Sequence, residues 1–198
     1  MAKTEIVTPV GMVMFPNFFQ PRPRQPGSSE LIYNCLLKFD LKAQETEAFK
    51  ELKRAINAEA KDFFQGKPPA NARNPLIRAG DTEYPQKYDG FHEDDVFIRP
   101  WSKYQPGIID ARRNDITIEG DVWAGQLFRA TVAPAGYSAQ GNKGVTLMLN
   151  NLQQARADMP RMDGRKSAAA SFDALEDTGD SGGGGGDMAD ADEEDFFN

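Results

Sequence analysis

The sequence predicts a mainly β body, a small five-stranded antiparallel barrel with one inserted α-helix, followed by a disordered C-terminal tail. Three observations predict it. Only residues 44–65 sustain helical periodicity over several turns. Two β-rich segments precede that stretch and several follow it, an order that suits a closed or partly open antiparallel barrel and not a parallel α/β sheet. The last 32 residues, 167–198, hold ten carboxylates and no basic residue, so they cannot bury enough apolar surface to fold.

Residues 5–15 read as a strand with a break at Pro9-Val10-Gly11. Residues 15–27 carry four prolines, which predicts an extended loop without regular structure. Residues 30–41 are rich in β-branched and aromatic side chains and read as a long strand. In the helix, Ala48, Phe49, Leu52, Ala55, Ile56, Ala60, Phe63 and Phe64 recur at three- and four-residue spacing, and Gly66 stands where a C-cap belongs. Its opposite face has mixed charge and is a solvated surface. The connection 67–88 is proline-rich and polar, with at most a short element at Leu76-Ile77-Arg78. Strands follow at 95–101, 107–112, 115–118, 122–134 and 144–152.

The charge is divided unevenly. The chain has 23 basic and 30 acidic residues, net −7; without the tail's ten acids, 23 face 20 and residues 1–166 carry about +3. The expected division is therefore a folded, mildly basic domain at 1–166 and a disordered acidic tail at 167–198. A mildly basic body on an acidic arm suits an arm that occupies, or imitates a ligand of, a cationic groove. The tail ends in Asp192-Glu193-Glu194-Asp195-Phe196-Phe197-Asn198. Solvation has no use for exposed terminal rings, whereas docking into a partner's pocket does.

Several functions are disfavoured. No run approaches 18 consecutive apolar residues and no signal peptide is visible, so no membrane partner is expected. The single cysteine, Cys35, excludes an internal disulfide and fits a reducing cytoplasm, with a buried structural thiol in its apolar run. With one His and one Cys the chain cannot assemble an ordinary zinc site. His92 has no Gly-x-Ser-x-Gly elbow to serve, and neither a Walker loop nor a dinucleotide fingerprint occurs. The glycines 182–186 are a linker. Asp94, Asp95, Asp110, Asp115 and Glu119 could bind Mg²⁺ in a nuclease, but turns account for most of them. No cofactor, metal or catalytic residue is expected.

Aromatic and basic residues interleave three times: at 15–24, at Arg99-Pro100-Trp101-Ser102-Lys103-Tyr104, and at Trp123 to Arg129 with Tyr137 and Lys143 beyond. Single-stranded nucleic acid wants this pairing, because cations meet phosphates while flat rings stack unpaired bases. A tryptophan in a strand, such as Trp123, is more often core than platform. Phe18 and Phe19 differ, since a proline-dense loop offers them little core to enter.

The segment Trp123-Ala124-Gly125-Gln126-Leu127-Phe128-Arg129-Ala130, the loop Gly141-Asn142-Lys143-Gly144-Val145 and the strand Leu149-Asn150-Asn151-Leu152-Gln153 resemble the C-terminal hallmark of bacteriophage single-stranded-DNA-binding proteins. The likeness spans about residues 5–157. It implies an OB-fold that coats single-stranded DNA in phage replication or recombination, in the cytoplasm of the infected bacterial host. The tail is similar to the acidic, aromatic-ended tails by which such proteins recruit replication and recombination partners. On this reading Arg22, Arg24, Lys103, Arg112, Arg113 and Lys143 hold the backbone. Bases stack on some of Phe18, Phe19, Tyr33, Trp101 and Tyr104, and Asp192 to Phe197 meet the partner. A carboxylate–Mg²⁺ nuclease and an acidic DNA mimic remain the alternatives. Self-association into a homo-oligomer, site size, strand polarity and DNA over RNA preference stay open.

Overall fold

A ring of five strands cannot alternate direction all the way round, so one pairing in a five-stranded barrel has to be parallel. That constraint organises this chain. The structure, a computed structural model, describes residues 4–139 and 141–162. The chain divides at Arg165/Lys166, and all described residues belong to the first unit. The strands are β1 (Ile6–Val7), β2 (Gly11–Pro23), β3 (Leu31–Phe39), β4 (Ile77–Arg78), β5 (Val96–Ile98), β6 (Trp101–Ser102), β7 (Gly107–Ile109), β8 (Leu127–Ala139) and β9 (Asn142–Arg156). Antiparallel pairs β2–β3, β3–β6, β9–β8 and β8–β2 make four sides of the ring. The fifth, β6–β9, is parallel, with Trp101 opposite Met148. The expected barrel is thus present with one parallel seam. Beyond the ring, β1 extends β8, β7 extends β9, and β5 and β4 continue from β3.

The helical insertion between β3 and β5 starts earlier than its periodicity indicates. Asp40 Oδ1 accepts the Ala43 N–H at 2.8 Å and caps α1 (Leu41–Glu45). Thr46 interrupts the helix and its Oγ1 caps α2 (Glu47–Phe63) through the Phe49 N–H. At the other end Gly66 has φ +80° and donates to the Lys61 carbonyl at 2.7 Å, the stop that its position in the sequence predicts. Phe49, Leu52 and Ile56 bury their side chains with Val13, Leu37, Phe39, Phe128, Val132 and Leu149 in the main core. Truncating Leu52 there would cost about 2–5 kcal/mol.

Of residues 15–27, expected as a loop, 15–23 are strand and only 24–27 form a turn. β2 runs through Pro23, and it accommodates Pro16 and Pro21 because its register against β3 slips between Met14 and Asn17 and again between Asn17 and Arg22. A bulge releases the residue from the ladder, so the missing N–H costs no hydrogen bond. The strand expected at 122–134 is displaced to Leu127–Ala139. Before it, Gly125 adopts φ +106° and the fully buried Gln126 accepts the Trp123 N–H and donates to the Asp121 carbonyl, which holds this stretch as a turn. Residues 115–118 keep only an isolated bridge, Ile109 to Asp115.

A second core lies on the outer side of the barrel wall. Met14 and Leu36 meet Ala79, Phe91, Phe97 and Ala124, with Met162 packed against them. The segment between the helix and β5, including the short α3 (Tyr84–Lys87), forms this cover. It is fastened by a buried ion pair, Lys38 Nζ to Asp95 Oδ2 at 2.8 Å, and the same carboxylate oxygen accepts the His92 N–H at 2.7 Å. Among the described residues no helix is long and apolar enough to cross a membrane. Cys35 is buried, which pushes its thiol pKa far up and leaves it inert.

Candidate nucleic-acid interface

A groove of about 490 Å³ opens on the outer face of the barrel, between the ends of β2 and β3 and the β8–β9 hairpin. Arg24, Arg73 and Arg99 line it, with Glu30 as the acidic member and Tyr137 as an aromatic one. Trp101 touches two of the lining residues: Nε1 donates to the Thr146 hydroxyl at 2.9 Å, which fixes the ring, and the Arg24 guanidinium lies 4.1 Å from the ring centroid. Glu30 joins the cations. It is 3.1 Å from Arg24 and 2.7 Å from Lys103, and hydrogen bonds from Lys103 first and Arg24 second hold its carboxyl below its ordinary pKa of 4.5.

Arg73 reaches the groove by main-chain docking. Its N–H donates to the Lys143 carbonyl at 2.8 Å and its carbonyl accepts the Val145 N–H at 3.1 Å, so residue 73 forms a parallel bridge to Gly144. A Cβ at 144 would overlap the Arg73 carbonyl. The second glycine of Gly141-Asn142-Lys143-Gly144 is therefore what allows Arg73 to lie against β9, and Lys143 flanks the same edge.

The expected site residues divide clearly. Arg24, Trp101 and Lys103 come together through Glu30, and Lys143 borders them. Arg22 is exposed at the end of β2, and Tyr104 is 83% exposed beside Lys103. Phe18 is a correction: only 1% of it is exposed and its ring packs 6.1 Å from Phe128, because β2 carries it into the barrel. Phe19 is half-buried and packs on the same core. Tyr33 alternates with Asn34, the partner of Trp101, and so shares the barrel-interior face of Cys35 and Leu37. Arg112 and Arg113 follow β7 at the far half of β9, roughly 20 Å along the strand from the groove. Asp110 organises their turn; hydrogen bonds from Asn114 hold its carboxyl below the usual range. Trp123 is closed off: Nε1 donates to the Met159 carbonyl at 3.1 Å and Arg161 lies over the ring. The residues expected to meet a partner, Asp192, Glu193, Glu194, Asp195, Phe196 and Phe197, lie outside the described residues.

Sequence reading did not select Arg73 for the groove, and it named Arg99 and Tyr137 only within their motifs. For Arg73 a weak signal existed. Pro68, Pro69 and Pro75 bias the connection toward extended backbone, which can add to a strand edge. Of the carboxylates considered for Mg²⁺, Asp95 is committed to Lys38 and Asp110 to its turn, and no group of three or more candidate metal ligands occurs among the described residues.

A closed five-strand barrel with a parallel seam and a cationic, aromatic outer groove defines an OB-type single-stranded nucleic-acid-binding module. A family model described as Enterobacter phage Enc34, ssDNA-binding protein, matches residues 4–182, and the chain belongs to that family. Among solved structures, the fold is similar to the single-stranded DNA-binding protein from bacteriophage Enc34 in complex with ssDNA. The TM-score is 0.66 at 16% identity, covering 79% of this chain and 88% of that one. The same phage protein without that complex gives a TM-score of 0.64 at 16% identity, over 85% and 90% of the two chains. The gp2.5 single-stranded DNA binding protein of bacteriophage T7 gives 0.57 at 11% identity, over 84% and 99%. Comparison with curated protein sequences gives no match.

Proposed function

We propose that this chain binds and protects single-stranded DNA without sequence preference, in phage DNA replication and recombination, and that it is a binding protein and not an enzyme. The observation that carries the reading is the groove lined by Arg24, Arg73 and Arg99, in which the Arg24 guanidinium lies over the Trp101 ring that Thr146 fixes. Cations there meet phosphates and the ring meets bases, and neither contact reads sequence. Membership of the phage family supports the DNA assignment and places the action in the infected host cell, in its cytoplasm on our reading. The acidic residues 167–198 compete with DNA for the groove, and Phe196 and Phe197 dock a replication or recombination protein.

The test is binding of fluorescent oligo-dT across a salt series. Each lost phosphate contact reduces the slope of log K against log salt by about 0.7. Replacing Arg24 and Arg73 by alanine should reduce it by about 1.4, whereas Arg112→Ala with Arg113→Ala should leave it unchanged. The opposite pattern would move the DNA to the other end of the barrel. Deleting residues 167–198 should tighten binding most at low salt; equal affinity at low salt would remove the competition.

A further inference from the structure

An exposed aromatic surface lies beside the groove and has no role in it so far. Phe15 and Tyr88 are 41% and 40% exposed, and their rings stand 5.0 Å apart, edge to face. Tyr84 lies against both, at 6.3 Å from Phe15 and 5.4 Å from Tyr88, and rests in turn on the buried rings of Phe91 and Phe97. The surface therefore has a rigid floor.

Phe15 is turned outward by its backbone. It sits in the bulge between Met14 and Asn17 with φ +50°, a conformation that bulky residues rarely adopt, while Val13, Met14 and Phe18 on the same strand are buried. Such outliers cluster where a side chain is presented to a ligand. Arg99 connects this surface to the groove. It lines the groove, its guanidinium is 5.3 Å from the Tyr84 ring, and it donates to the Tyr84 hydroxyl. Because Arg99 also lines the groove, its charge is in place to meet a phosphate between the two surfaces.

We propose that Phe15 and Tyr88 form a second stacking platform for unpaired nucleobases, joined to the groove through Arg99. A bound strand would then continue past Trp101 and across the α3 segment. The inference rests on the groove being the single-stranded DNA site. A protein partner or a second copy of this chain are the competing occupants of the same rings.

The experiment uses the full chain and oligo-dT of increasing length. Wild type should gain affinity between oligonucleotides that fill only the groove and longer ones that reach Phe15. Phe15→Ala and Tyr88→Ala should each weaken the longer ones by about tenfold, the effect of one lost stack, and leave the short ones unchanged. Arg24→Ala with Arg73→Ala should weaken every length. If only the groove variant has an effect, the platform is wrong and the rings await another occupant. If the groove variant has none, the groove reading falls and the extension with it. A second measurement needs no variant: oligo-dT carrying 5-iododeoxyuridine, cross-linked to wild type, should label Phe15, Tyr84 or Tyr88. Adducts confined to Trp101 and Tyr137 would overturn the proposal.

Discussion

The Arg24 guanidinium lies over the Trp101 ring, 4.1 Å from its centroid, while bound at 3.1 Å to the Glu30 carboxylate. A planar cation on an indole face is a favourable stack in its own right. If the groove is the DNA site, the free protein holds its stacking ring under a cation that is itself a candidate phosphate ligand. On the proposed function, binding here would exchange partners: a base takes the ring, the guanidinium takes a phosphate, and Glu30 is left behind.

The ring's contribution follows directly. Trp101→Ala should weaken oligo-dT binding by about 1–3 kcal/mol, roughly five- to 150-fold, and Trp101→Phe should retain most of it. The salt slope should not change, because no cation is removed. Fluorescence anisotropy titrations measure both, and unchanged affinity in the alanine variant would take Trp101 out of the site.

Glu30 should act as a built-in competitor for Arg24 and Lys103. Both pairs are partly exposed, so each is worth well under a strong ion pair. Glu30→Gln should tighten DNA binding by about two- to tenfold at low salt. The pH sign also follows. The cations hold the Glu30 carboxyl below 4.5 in the free protein, and losing them to phosphate raises it in the complex. Binding therefore takes up a proton, and affinity should rise as pH falls through the acid range between those two values, then level off. In Glu30→Gln that rise should be missing.

Much of this was legible from the chain alone, for reasons specific to each element. The α2 face declared itself because Phe49, Leu52 and Ile56 must all reach one core, and Gly66 ends the helix by backbone necessity. Arg24, Trp101 and Lys103 were visible as interleaved types. Proline was the misleading signal at 15–27: Pro16 and Pro21 suggest a loop, and only pairing with β3 shows that bulges absorb them and carry Phe18 inward. Arg73 was invisible because its place depends on a tertiary main-chain bridge to β9. Arg112 and Arg113 lie along the other half of β9 from the groove, and charge alone carries no position.

The Arg73 bridge makes Gly144 testable. A methyl group at 144 collides with the Arg73 main chain, not with a side chain that could swing aside. Gly144→Ala should therefore displace residue 73 from β9 and copy Arg73→Ala, lowering the salt slope by about 0.7 without changing sequence preference. Combining the two substitutions should add little more. An additive loss would mean that Gly144 acts on the groove by some route other than Arg73.

The buried pair Lys38–Asp95 should govern stability and not DNA affinity. Asp95→Asn leaves the Lys38 ammonium buried against a neutral partner, a loss of about 3–5 kcal/mol. For a body of this size that is a fall in Tm of about 10 °C or more. Replacing both residues together, Lys38→Met with Asp95→Leu, removes both charges and should cost less than the single change. It still leaves the His92 N–H without the acceptor that Asp95 now provides, a residual penalty of about 1–3 kcal/mol. Thermal unfolding monitored by circular dichroism gives the order wild type, double, single. A double variant less stable than Asp95→Asn would show that the unpaired Lys38 ammonium is not the main cost of the single change.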